Sequence, residues 1–129
     1  MSVLLEIRNL KKYFHVPDGW LHAVDDVSFT LESGKTLGIV VESCCGKSTL
    51  GRTIVLLLDS TEGEICFDRK RITNARGKEL KKLHTDMQII FQDPFSSLNP
   101  RITVKQIIAE PLRCCEKLSS REIDKRVDE

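Results

Sequence analysis

Between Leu37 and Val41 the chain reads LGIVV without a polar residue, and the run passes directly into VESCCGKST and then into apolar residues at helical spacing, Leu50, Ile54, Val55 and Leu58, up to Asp59-Ser60. A continuous apolar run of this length suits a parallel strand buried on both faces, so the segment reads as strand, loop and amphipathic helix in immediate succession. No other feature constrains the fold as much. The loop ending Cys45-Gly46-Lys47-Ser48-Thr49 carries phosphate chemistry: backbone N–H groups at a helix start converge on phosphate oxygens, a lysine ammonium reaches the β and γ phosphates, and a serine hydroxyl ligates Mg²⁺. In the general pattern G-x-x-x-x-G-K-[ST] the first position is glycine; here it is Val41. A β-branched residue in a glycine-type backbone conformation costs on the order of 1–3 kcal/mol, which weighs against nucleotide affinity. The plain alternative for Gly46-Lys47-Ser48 alone is a glycine start to a buried helix.

With 129 residues the chain holds at most one modest domain, and 20 Lys+Arg against 19 Asp+Glu leave a net charge of +1. That balance disfavours a nucleic-acid binder, including at the basic run Asp68-Arg69-Lys70-Arg71 to Lys82, whose acidic neighbours make it a solvated surface. No stretch approaches the ~20 apolar residues of a membrane span, and the charges in MSVLLEIRNLKK interrupt any signal-peptide core. The five cysteines, Cys44, Cys45, Cys66, Cys114 and Cys115, match neither a disulfide framework nor zinc spacing and read as reduced thiols.

Val3–Ile7 and Val27–Leu31 alternate apolar and polar residues and read as half-buried antiparallel strands separated by the turn chemistry of HVPDGW. Glu64–Asp68 reads as a short strand, Lys78–Leu83 as a short basic helix and Met87–Phe91 as a second buried strand. QDPFSSLNPR, with two prolines, reads as an ordered loop. A helix disturbed by Pro111 is expected over Thr103–Leu112, and Ser119-x-x-Glu122 is a capping box for a last helix. That helix has a start signal and no stop signal before Glu129, which is read as a chain that continues; a frayed polar tail is the alternative. His15, His22 and His84 read as surface residues rather than catalytic bases.

Two segments together carry a family resemblance. VESCCGKSTLGRTIVLLL resembles the phosphate loop and following helix, and MQIIFQDPFSSLNPRITV the Q-loop, of the ATPase subunits of ATP-binding cassette transporters, within them the oligopeptide/dipeptide import group. The opening VLLEIRNLKKYF and the stretch AVDDVSFTLESGKTLGIV are similar as well, so the resemblance spans the chain. It implies an α/β P-loop fold with an N-terminal antiparallel sheet portion, residues 1–129 being the N-terminal part of a nucleotide-binding domain with its phosphate loop at 41–49 and its Q-loop at about 92–101. The group's loop usually reads GESGCGKS, so Val41 and Cys44 replace glycines. The signature sequence LSGGQ, the Walker B aspartate with its glutamate and the switch histidine are implied beyond residue 129.

The resemblance also implies roles. Ser43, Cys44, Cys45, Gly46, Lys47, Ser48 and Thr49 would bind ATP, Ser48 and Gln92 would hold Mg²⁺, and Gln92 would position the attacking water. An aromatic near the end of the first strand would stack on adenine, with Phe14 the first choice and Tyr13 the second, since neighbours on a strand face opposite ways. The implied partners are a second ATPase subunit, transmembrane permease subunits and an external solute-binding protein, with no nucleic acid, at the inner face of the cell membrane. The rival function is a truncated, catalytically silent remnant that binds ATP weakly or not at all. A small P-loop kinase or GTPase fits less well, because QDPFSSLNPR stands where a lid or an aspartate-bearing strand would be.

Overall fold

The computed structural model describes residues 2–41, 44–93 and 95–129, with the backbone alone for Cys44, Cys45 and Cys115. The chain divides into two units, Met1–Ile89 and Ile90–Glu129.

In the first unit, strand β1 (Val3–Val16) and strand β2 (Gly19–Glu32) form a long antiparallel hairpin closed at Val16↔Gly19 around Pro17-Asp18. Both strands extend well beyond the alternating segments read from sequence, because a bulge breaks the alternation in the middle. Asn9 and Asp26 sit at φ 47° and 54°, joined by Asn9 Nδ2 donating to Asp26 Oδ1 at 2.9 Å, and Asn9 N–H donates to Ser28 Oγ at 2.8 Å. Ile7 and Leu10, three residues apart, are consequently both buried. Strand β3 (Glu62–Phe67) pairs with the other edge of β1, and strand β4 (Lys70–Arg71) closes the order β2-β1-β3-β4. The β3–β4 turn consists of Asp68 and Arg69, both at positive φ as a two-residue hairpin of this hand requires, so the expected strand Glu64–Asp68 stops one residue early.

Helix α1 (Cys44–Ile54) and helix α2 (Gly77–Asp86) follow the expected chain order. Leu50 of α1 and Leu83 of α2 enter one core with Ile7, Leu10, Val24, Ile65, Ile72 and Ala75. α1 is shorter than its periodicity predicts. It ends at Ile54, and Leu56 takes the left-handed φ of 62° that usually ends a helix on glycine, with Leu57 N–H donating to Arg52 O at 2.8 Å. His84, expected at the surface, is half-buried, and its Nε2 lies 3.0 Å from Val55 O, taking up one of the carbonyls left open by that ending. His15 and His22 are exposed as expected.

Two expected strands do not form among the described residues. Leu37–Val41 is extended but unpaired, with Leu37 43%, Ile39 40% and Val40 95% exposed, and Met87–Phe91 forms no strand, with Ile90 94% exposed. A strand exists through its ladder of hydrogen bonds to a neighbour, and the described sheet is wholly antiparallel, none of its strands pairing with either run. Apolar composition states a demand for burial without supplying the partner.

In the second unit, helix α3 (Val104–Cys115) opens on a capping box in which Thr103 Oγ1 accepts from Gln106 N–H at 3.2 Å while Gln106 Oε1 accepts from Thr103 N–H at 2.9 Å. It continues past Pro111, which lacks the donor for the Ile107 carbonyl. Helix α4 (Ser120–Asp128) starts on the expected Ser119–Glu122 capping box, with Ser119 N–H donating to Glu122 Oε2 at 2.8 Å. Ala109 and Ile123 are buried, and Lys105 pairs with Asp124 at 3.5 Å.

Candidate functional site

Helix α1 begins at Cys44, with Gly46 and Lys47 in its first turn and Ser48 and Thr49 just beyond it. The N–H groups that open a helix have no carbonyl one turn earlier to bond, and no acidic residue occupies the first turn of α1, so the positive end of the helix is not neutralised by side chains of that turn. Lys47 and Ser48 are exposed, whereas Gly46 and Thr49 are half-buried. Thr49 is tied down from below: its carbonyl accepts from the buried Thr53 Oγ1 at 2.7 Å, and Leu50 enters the core. The start of the helix is thus anchored on one side and presents an ammonium and a hydroxyl on the other. This donor set fits a polyphosphate with its divalent cation. Val41 is half-buried at the end of the unpaired run. Ser43, and the side chains of Cys44 and Cys45, lie outside the described residues.

The two aromatic candidates are sorted by the hairpin register. Tyr13 stands opposite His22 and stacks on it with ring centroids 3.9 Å apart, and its hydroxyl donates to Asp25, while His22 Nδ1 is 3.8 Å from Asp25 Oδ2. His15 and Trp20 continue this face as an edge-on pair at 5.0 Å. Phe14 belongs to the other side of β1, where Lys12 Nζ lies 5.0 Å from its ring centroid and Val24, paired with Lys12, is in the core with Leu50 of α1. Phe14 is therefore on the α1 side of the hairpin and half-exposed, while Tyr13 is engaged on the opposite side. Neither Lys12 nor Asp25 was singled out from the sequence; a lysine two residues before an aromatic on a strand shares its face, and that spacing is the signal that finds Lys12.

The hydrogen bond to Asp25 stabilises the neutral phenol and pushes the Tyr13 pKa up to about 12, with some desolvation and the negative charge of Asp25 acting the same way. This bond is intact below the ordinary tyrosine pKa near 10 and is lost as the pH rises through about 12. Ultraviolet titration at 295 nm should show the single tyrosine ionising near that value. In Asp25→Asn the midpoint should fall toward 10, and an unchanged midpoint would show that Asp25 does not hold the phenol.

Gln92 lies in the second unit and is exposed, immediately before a hydrogen-bonded turn. Asp93 Oδ1 accepts from Phe95 N–H at 3.1 Å and Ser96 N–H at 3.3 Å, and the Asp93 carbonyl accepts from Ser96 Oγ at 3.0 Å and Ser97 Oγ at 3.1 Å. Asn99 Oδ1 accepts from Arg101 N–H at 2.9 Å. The irregular string is thus held by its own short polar side chains, as its turn chemistry predicts.

Comparison with known proteins gives concordant results. The family model described as ABC transporter matches residues 24–129. The oligopeptide transport ATP-binding protein OppF of Bacillus subtilis is 51% identical over 110 residues, covering 84% of this chain and 36% of that protein. OppF of Escherichia coli is 45% identical over an alignment of 136 positions, covering 98% of the chain and 41% of that protein. The chain thus spans well under half the length of these relatives. Among solved structures, the dimeric post-hydrolysis state of the ATP-binding cassette MJ0796 bound to ADP and Pi superposes with a TM-score of 0.79 at 26% identity, covering 96% of this chain and 54% of that one. CbiO1 of Clostridium perfringens, part of the complex cbiONQ, gives 0.68 at 31% identity, covering 99% and 49%.

Proposed function

Since the chain belongs to the ABC transporter ATPase family, we propose that it forms the ATP- and Mg²⁺-binding N-terminal portion of an ATPase subunit that powers import of oligopeptides. The observation that carries this reading is the start of α1, anchored through Thr53 and Leu50 and presenting Lys47 and Ser48. Lys47 holds the β and γ phosphates, Ser48 ligates Mg²⁺, and Gly46 and Thr49 contribute backbone and hydroxyl donors; Cys44, Cys45 and Ser43 contribute loop N–H groups. Phe14, on the α1 side of the hairpin, stacks on adenine, and Gln92 orients water and metal. ATP with Mg²⁺ supplies the free energy, while this chain's residues bind, orient and neutralise charge.

The oligopeptide assignment rests on the relatives, whose names state that transport role. Their length and the unpaired run Leu37–Val41 support a reading in which further strands of the cassette complete the sheet. The partners in that reading are transmembrane permease subunits and a second ATPase subunit, with a solute-binding protein outside; the ATPase works at the inner membrane face. No helix among the described residues is long and apolar enough to cross a membrane.

A polypeptide of these 129 residues should bind Mg-ATP without turning it over, because the α1 turn brings phosphate donors and no carboxylate to polarise water. Lys47→Ala should weaken binding at least ~10-fold, the loss of one charge-assisted contact of ~1.5–3 kcal/mol. Equal affinity in Lys47→Ala would remove this site. Steady phosphate release that vanishes in the same variant would show instead that the chain is catalytically complete.

A further inference from the structure

We propose that Lys12 is a positioning residue for Phe14, fixing the ring so that one face is packed by an ammonium and the other receives an electron-rich purine. The proposal rests on the adenine-stacking reading of Phe14 above and adds the element that sets its orientation and base preference.

The two adjacent lysines of β1 behave differently. Lys11 forms an ion pair with Glu62 at 3.4 Å, whereas Lys12 places Nζ 5.0 Å from the Phe14 centroid, inside the ~6 Å range in which a cation is attracted to a ring face. The backbone makes this possible, since Lys12 and Phe14 are two residues apart on one strand and point to the same side. That side also carries Val24, which joins Leu50 of α1 in the core, so the pair lies on the same side of the hairpin as the helix bearing Lys47. Tyr13, between them, is held on the other side by His22 and Asp25.

A half-exposed phenylalanine near the end of a strand has freedom about χ1 and χ2 that stacking must remove. An ammonium on one face removes part of that freedom before the nucleotide arrives, which lowers the ordering cost of binding. The cation also draws electron density through the ring, so the opposite face becomes a better partner for an electron-rich base. The effect belongs to the base contact alone. The phosphates are bound elsewhere, at the α1 turn.

Binding of Mg-ATP and of Mg-tripolyphosphate, which has the phosphates and no base, should be measured on the 129-residue chain and its variants. Lys12→Gln is expected to weaken Mg-ATP about 2- to 5-fold, the range of a half-exposed cation–π contact, and to leave Mg-tripolyphosphate unchanged. Lys12→Arg should restore Mg-ATP affinity, and Lys12→Gln should have no further effect in Phe14→Ala. In the nucleotide-free chain the Lys12 Hε resonances should be shifted upfield by the ring and return to ordinary values in Phe14→Leu. Equal weakening of both ligands would mean that Lys12 acts on phosphate charge, and would overturn the proposal, as would unshifted Hε resonances or an inert Lys12→Gln. If Phe14→Ala itself leaves Mg-ATP affinity unchanged, or the chain binds no Mg-ATP, the adenine reading fails and this proposal falls with it.

Discussion

Replacing Gly63 by alanine will destabilise the first unit by about 2–6 kcal/mol, the sum of left-handed backbone strain and overpacking. Gly63 sits in β3 at φ 100°, where β3 crosses the bulge of β1. A Cβ there would lie 2.5 Å from Asn9 O, 2.6 Å from Leu10 Cα and 2.8 Å from Arg8 O, all backbone atoms that cannot swing aside. Leu10 is fully buried, so yielding at this point means moving the core. Small domains have ~5–15 kcal/mol of net stability in total, and the variant should lose a large share of it. Gly38→Ala is the control: a Cβ there meets nothing within 4 Å, and its effect should stay within about 0.5 kcal/mol. Urea midpoints followed by circular dichroism decide the matter. An unchanged midpoint for Gly63→Ala would mean that the strand crossing is looser than the register indicates.

Restoring glycine at Val41 and Cys44 together is expected to tighten Mg-ATP binding roughly 5- to 150-fold, the equivalent of ~1–3 kcal/mol; Val41 is not at positive φ, so the gain comes from removing side chains that crowd the approach of the loop backbone to the phosphates and not from relieving a strained backbone. Most of the gain should come from Val41→Gly. Cys44 is already the first residue of α1, where a helical backbone accepts any side chain, whereas Val41 is the β-branched residue at the entry to the loop. Calorimetry on the parent, both single variants and the double variant separates the contributions. If the double variant binds no tighter than the parent, the loop tolerates both side chains and they do not crowd the phosphates. If Cys44→Gly alone supplies the gain, the cost lies at the helix start.

Several features were legible because the interactions that make them are local. The capping box at Ser119–Glu122 is written in two residues three apart, and the helix that carries Gly46, Lys47 and Ser48 in the spacing of its apolar residues. The turn QDPFSSLNPR is held by Asp93 and Asn99 within a few residues of each. The long hairpin was only half legible. Its alternation is interrupted where Asn9 and Asp26 adopt positive φ and bond to each other, an event that depends on two residues from different strands. The left-handed Leu56 that ends α1 carries no glycine signal, and it joins the periphery of the core.

By itself the sequence determined which donor side chains stand near the start of α1, the capped start of α4, the irregular loop and the family, because each depends on residue types at short spacing. Tertiary structure alone decided which of Tyr13 and Phe14 faces α1, why Gly63 must be glycine, and where His84 finds its partner. It also decided that neither LGIVV nor MQIIF becomes a strand of the described sheet. Apolar pattern encodes how strongly a segment seeks burial, but a strand, a close approach and a chosen face each require a particular neighbour from elsewhere in the chain.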